Sequence, residues 1–176
     1  DGGTPHGCRD RAILLLLARL GLRAGDVVGL RLDDIDWTQG TLRVCGKGRR
    51  TVALPLPQEV GDALLAYLQD ARPRVLLDAV FLRARAPYRP FATASSIADV
   101  VRLALRRAGV TNAPSRGAHL LRHSAATAML RAGSTLETIG AVLRHASPDT
   151  TAHYAKVDVA TLATAGAVPD DGGAGF

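Results

Sequence analysis

Ala118-His119-Leu120-Leu121-Arg122-His123 opens a stretch that runs through Leu143-Arg144-His145-Ala146-Ser147 to His153-Tyr154. Ala118, Leu121, Ala125, Ala128, Met129 and Ala132 recur at helical spacing, and Gly133 follows as a C-terminal glycine stop. The pattern predicts an amphipathic helix. His119 and Arg122, three apart, are neighbours on its surface and lie off the centre of the apolar stripe. Ser134 and Glu137 form an S-x-x-E capping box for a second helix. Leu136, Ile139, Gly140 and Leu143 form its inner face, and it runs out at Arg144-His145. Ser147-Pro148-Asp149 then supplies a cap, a proline at the first helical position and an acid in the first turn. That predicts a third, short helix carrying Tyr154.

Outward from this stretch, the chain has 176 residues, the length of one domain, and 47% hydrophobic residues, enough for a real core. Lysine and arginine total 22 against 16 acids, a formal charge of +6 that favours a polyanionic partner. Arginine, which grips phosphate with a planar fork, dominates. A GC-rich coding bias explains the same composition equally well. Cys8 and Cys45 are the only cysteines, which is no disulfide framework and fits a reducing cytoplasm. The apolar run at 12–18 is bracketed by Arg11 and Arg19 and is far short of the ~20 residues of a bilayer span. No membrane association is expected.

Residues 1–7 read as a linker and 8–20 as a helix apolar nearly all round, broken by Gly21. Arg23 starts a short helix over 24–30 with Asp26 in its first turn, a place suited to an anion. Residues 34–37, 41–45 and 51–54 alternate like strands, predicting a three-stranded antiparallel sheet with Lys47 at a hairpin tip. An amphipathic helix is expected over 58–71, ended by Pro73, with Val60, Ala63, Leu64 and Leu68 inward. Val80-Phe81-Leu82 reads as extended and 83–90 as a basic loop. Ser95 or Ser96 caps a helix that Gly109 stops. Residues 158–165 look helical, and the Gly- and Asp-rich 169–176 read as a tail.

In chain order the sequence offers L-G-L-R-A-G-D at Arg23, G-K-G-R at Lys47, H-L-L-R-H at His119 and Arg122, L-R-H at His145, and H-Y at Tyr154. This set resembles the catalytic domain of the tyrosine recombinases, the phage integrase family, over nearly the whole chain. The resemblance implies a mainly α-helical α+β domain with a small antiparallel sheet, over residues 8–168. Residues 1–7 would then be a linker or remnant of a preceding DNA-binding domain, and 169–176 a flexible tail. It implies a site-specific recombinase acting on double-stranded DNA, assembled on it as a homo-oligomer of two to four copies. Neither a cofactor nor a metal is implied.

Residue by residue, Arg23 and Arg122 match the arginines that hold the non-bridging oxygens of the scissile phosphate. Lys47 matches the lysine that protonates the leaving 5′ oxygen, and His119 the histidine that assists proton transfer at the nucleophile. His145 matches the His-or-Trp position that bonds the phosphate. Tyr154 matches the nucleophile, which would form a 3′-phosphotyrosyl bond. The chain departs from the family where Asp26 replaces the usual Glu and Arg144 the usual Gly. The chemistry is coherent by itself. A phenol of pKa about 10 needs neighbouring cations and a base before it attacks. Charge developing on a five-coordinate phosphate needs fixed donors, which arginines supply. Covalent capture conserves the phosphodiester energy, so rejoining needs no ATP.

Taken singly, each residue has an ordinary explanation. Arg23 and Arg122 read as surface charges, Lys47 as a solvated turn, His119 as a cap or core group. His145 alone suits a helix C-terminus, and Tyr154 a core aromatic. Arg49, Arg50, Arg83, Arg85 and Arg89 read either as DNA-backbone contacts or as solvated charges. Alternatives from other classes are a helix-turn-helix regulator built on 125–143, an inactive integrase relative, a type IB topoisomerase, and zinc bound by His119, His123 and His145.

Overall fold

The computed structural model describes residues 4–45, 51–113 and 117–144. The order of elements is α1 (Pro5–Arg19), α2 (Ala24–Gly29), β1 (Ile35–Asp36), β2 (Thr41–Cys45), β3 (Thr51–Pro55), α3 (Gln58–Ala66), α4 (Ala94–Arg107), α5 (Ala118–Arg131) and α6 (Leu136–Leu143). The third helix with Tyr154, the helix at 158–165, the tail at 169–176 and the hairpin tip with Lys47 lie outside the described residues.

Helix α1 is the centre of the core. Ala12, Ile13, Leu16 and Leu17 are fully buried, and α3, α4 and α5 pack around it. It begins earlier than the glycine-rich composition suggests. Thr4 caps it by accepting from Gly7 N at 3.1 Å, and Pro5 takes the first helical position, where a missing N–H costs nothing. Arg9 is buried yet satisfied: it pairs with Asp10 at 2.7 Å, donates to Leu82 O at 3.2 Å and lies over the Phe91 ring.

The sheet is antiparallel in the order β1-β2-β3, with Ile35 opposite Leu42 and Leu42 opposite Leu54. Ile35, Leu42, Val44 and Leu54 all turn onto the core, as strand alternation requires. Strand β1 is shorter than predicted. The Asp34 carboxylate accepts from Arg31 N at 3.0 Å and folds Leu32–Asp34 into a 3₁₀ turn. Asp36 Oδ1 accepts from Gln39 N at 2.8 Å and starts the next turn.

The helix predicted over 58–71 changes register at its end. Tyr67–Ala71 forms a π turn, closed by Arg72 N to Tyr67 O at 2.7 Å. The wider turn brings the Tyr67 ring over Phe81, with centroids 5.4 Å apart, and its hydroxyl accepts from Leu82 N at 3.3 Å. Burial raises the Tyr67 phenol above its ordinary value, against the lowering effects of the Leu82 bond, Arg9 and Arg72. A raised folded-state pKa means stability is full below the unfolded value near 10 and falls as pH rises past it. Replacing Tyr67 with Phe should flatten that alkaline loss in melts taken between about pH 9 and 11.

Two helix boundaries also move. Helix α4 starts after Thr93 instead of at Ser95 or Ser96. Helix α6 is capped by Thr135, whose side chain accepts from Thr138 N at 3.2 Å, instead of by Ser134. The reason is that Ser134 N already donates to Met129 O at 3.0 Å and Gly133 N to Leu130 O at 3.0 Å. These two bonds, with Gly133 at φ 85°, form the Schellman closure of α5. Among the described residues no helix is long and apolar enough to cross a membrane.

Candidate active site

Arg122 lies on the second turn of α5. Its sequence position puts it off the apolar stripe, yet it is only 3% exposed. Its Nη1 donates to Gly21 O, between α1 and α2, and its Nη2 to Leu143 O at the end of α6. Arg23, the residue that precedes the first turn of α2, donates from Nη2 to Arg144 O at 2.7 Å. Two guanidinium groups from distant parts of the chain therefore end on the carbonyls of two consecutive residues. Those carbonyls belong to the last turn of α6, where acceptors lack helical partners and the helix is at its negative end. An arginine side chain carries five N–H donors, and Arg23 spends one arm on the Arg144 carbonyl.

Gly21 is what lets α6 come this close. Its φ is +58°, and a Cβ built there would stand 2.3 Å from Leu143 Cδ2. Leu143 is fully buried with Ile139 and Ala126, so it has little room to yield. Gly21→Ala combines a left-handed alanine with overpacking, together about 2–4 kcal/mol. A fall in melting temperature of roughly 5–15 °C is expected. A melt unchanged within about 2 °C would show that the contact relaxes freely.

His119 is exposed on the first turn of α5 and meets the His123 ring edge-on, with centroids 5.2 Å apart. Among the described residues no group of three or more His, Cys, Asp or Glu is placed to hold a metal. Arg83, Arg85 and Arg89 are exposed on the loop before α4. That loop is pinned by Arg83 N donating to Arg89 O at 2.8 Å. Lys47, His145, Tyr154, Arg49 and Arg50 lie outside the described residues.

Two residues that shape this cluster were not among the sequence-derived candidates. Gly21 was legible only as a helix breaker. Arg144 takes a left-handed conformation, φ 54° and ψ 48°, and its Nη2 pairs with Asp26 while its Nη1 donates to Cys45 O at 3.2 Å. The left-handed turn that a glycine would favour is thus kept by an arginine held at both arms. The signal in the sequence was the pair of departures at positions 26 and 144, which are bonded partners in space.

A provisionally named integrase/recombinase of Sinorhizobium fredii, y4rA, is 51% identical over 164 residues, covering 93% of this chain and 40% of the relative. Tyrosine recombinase XerC of Mycobacterium tuberculosis is 38% identical over 168 residues, covering 92% of this chain and 54% of the relative. The chain thus spans about half the length of these two relatives. Among solved structures, XerA recombinase superposes with a TM-score of 0.76 at 28% identity, over 92% of this chain and 57% of that one. XerH recombinase, in a post-cleavage complex with palindromic difH substrate, gives 0.75 at 24% identity, over 93% and 46%. At that identity the likeness speaks for the fold. The model of the phage integrase family matches residues 2–161, and this chain belongs to that family.

Proposed function

We propose that the chain is the catalytic domain of a site-specific DNA recombinase. In this reading the catalytic unit begins with α1, capped at Thr4, and runs to residue 168, with 169–176 a tail. Tyr154 attacks a phosphorus atom of double-stranded DNA. The bond from phosphorus to its 5′ oxygen breaks, Lys47 gives that oxygen a proton, and a 3′-phosphotyrosyl link remains. Attack by a partner strand's 5′ hydroxyl reverses the step and rejoins DNA without ATP. Arg23 and Arg122 hold the non-bridging oxygens, His145 adds a third donor, and His119 handles the phenolic proton. The protein acts on DNA in the cytoplasm, as a dimer to tetramer assembled on its site.

One observation carries the reading. Arg23 and Arg122 converge on the carbonyls of Leu143 and Arg144, immediately before His145 in sequence. A phosphate clamp needs two cations at one point, and solvated surface charges have no reason to meet. Relatives named as tyrosine recombinases and integrases support it. A helix-turn-helix regulator would have no use for this convergence.

The test is covalent capture. A duplex selected for binding from a random-sequence library, and nicked beside the contacted phosphate, is incubated with the protein in chelator and without nucleotide. The expected product is a protein–DNA adduct whose nucleotide maps by mass spectrometry to the peptide holding Tyr154. Tight binding without an adduct would favour the regulator or the inactive relative, and an adduct on another residue would refute the assignment.

A further inference from the structure

We propose that Arg144 is a positioning residue for strand cleavage, a brace that sets the end of α6 against α2 and β2. The proposal rests on the recombinase reading above. Arg144 is tied to Arg23 in both directions. Its carbonyl accepts from Arg23 Nη2 at 2.7 Å, and its own Nη2 pairs with Asp26 Oδ2. That same carboxylate oxygen accepts from Arg23 N at 2.8 Å. Backbone and side chain of Arg23 are therefore both fixed through Arg144 and Asp26. The other arm of Arg144, Nη1, reaches Cys45 O at 3.2 Å, the last residue of β2. One guanidinium thus joins three elements that are distant in sequence, at the carbonyls the two clamp arginines use.

The cost at this position argues against a purely stabilising role. A non-glycine residue at φ 54° is strained, and the buried Arg144 Nε has no hydrogen-bond partner among the described residues. A glycine would relieve both, yet this chain carries an arginine. Local strain that the surroundings over-determine is the pattern of a placed functional group. The Arg144–Asp26 pair is almost wholly shielded, with side chains 6% and 11% exposed, so it is not a loose surface contact. Its effect on chemistry is indirect: it holds the Arg23 fork and the α6 end in register, and touches no reacting atom.

The experiment compares wild type, Arg144→Gly, Arg144→Lys and Arg144→Ala. Each is assayed on the selected nicked duplex for binding affinity and for the single-turnover rate of adduct formation, with circular dichroism to check folding. Arg144→Gly suits the left-handed backbone and is the variant expected to fold. Its affinity should stay within about twofold of wild type while adduct formation slows about ten- to a hundredfold, the scale of a small misplacement of a catalytic group. Arg144→Lys, which keeps a single charged contact to Asp26, should recover part of that rate. If Arg144→Gly forms adduct at the wild-type rate, or if its rate falls only in step with affinity, the brace is refuted. If Arg144→Lys is no faster than Arg144→Ala, the ion pair is not what positions the site, and the proposal falls. An absence of adduct with the wild type itself overturns the recombinase reading and this proposal with it.

Discussion

Arg122→Ala is expected to lose adduct formation by about 10³-fold or more, and stability as well. The two losses have one cause. Its guanidinium seats on Gly21 O and Leu143 O in a buried setting, 3% exposed, and the same fork is the one proposed to hold the phosphate. Alanine would leave both buried carbonyls without this donor, a cost of about 3 kcal/mol, or a drop of roughly 6–12 °C in melting temperature. Arg122→Lys separates the effects. A lysine keeps the charge but, lacking the planar fork, acts as a point charge. It should recover much of the thermal loss while remaining slow by about 10²-fold in single-turnover cleavage. Equal recovery of melting temperature and rate would mean that the second donor arm has no part in the chemistry.

Tyr154→Phe should show the opposite profile. Removing one phenolic oxygen leaves the cationic cluster and the DNA charge contacts unchanged, so affinity and its salt dependence should match the wild type. The adduct should vanish from a denaturing gel, because no atom remains to form the phosphotyrosyl bond. Phenylalanine retains the ring, so a collapse in affinity would instead assign Tyr154 to packing or to direct DNA contact. A surviving adduct would place the nucleophile elsewhere.

Much of the fold is written in local sequence. The three strands, the glycine stops at Gly109 and Gly133, and the helices around Ile13 and Ala125 follow from periodicity and turn chemistry within a few residues. The assignment to the integrase family was legible from the order of five short motifs. Burial of Arg122 was not, because its acceptors lie 101 and 21 residues away, and off-stripe position on a helix ordinarily means solvent. The π turn at Tyr67 was hidden for a similar reason. Leu64 to Leu68 fits an α pattern, and the partners that the wider turn serves, the Phe81 ring and Leu82 N, lie 14 and 15 residues on from Tyr67. The Thr135 cap turned on which residue was already occupied in closing the preceding helix. The Arg144–Asp26 pair showed in the sequence as two unrelated oddities, since nothing local says that positions 118 residues apart touch.

Helix α6 is eight residues long, and both arginines meet its final carbonyls. The place where the two proposed clamp arginines meet is therefore measured off by a residue count. Adding or deleting one residue inside α6 would swing that end by about 100° and shift it by about 1.5 Å. Homologous chains should accordingly tolerate length variation in the exposed stretch before α4, and conserve the span from Thr135 to Arg144 to the residue.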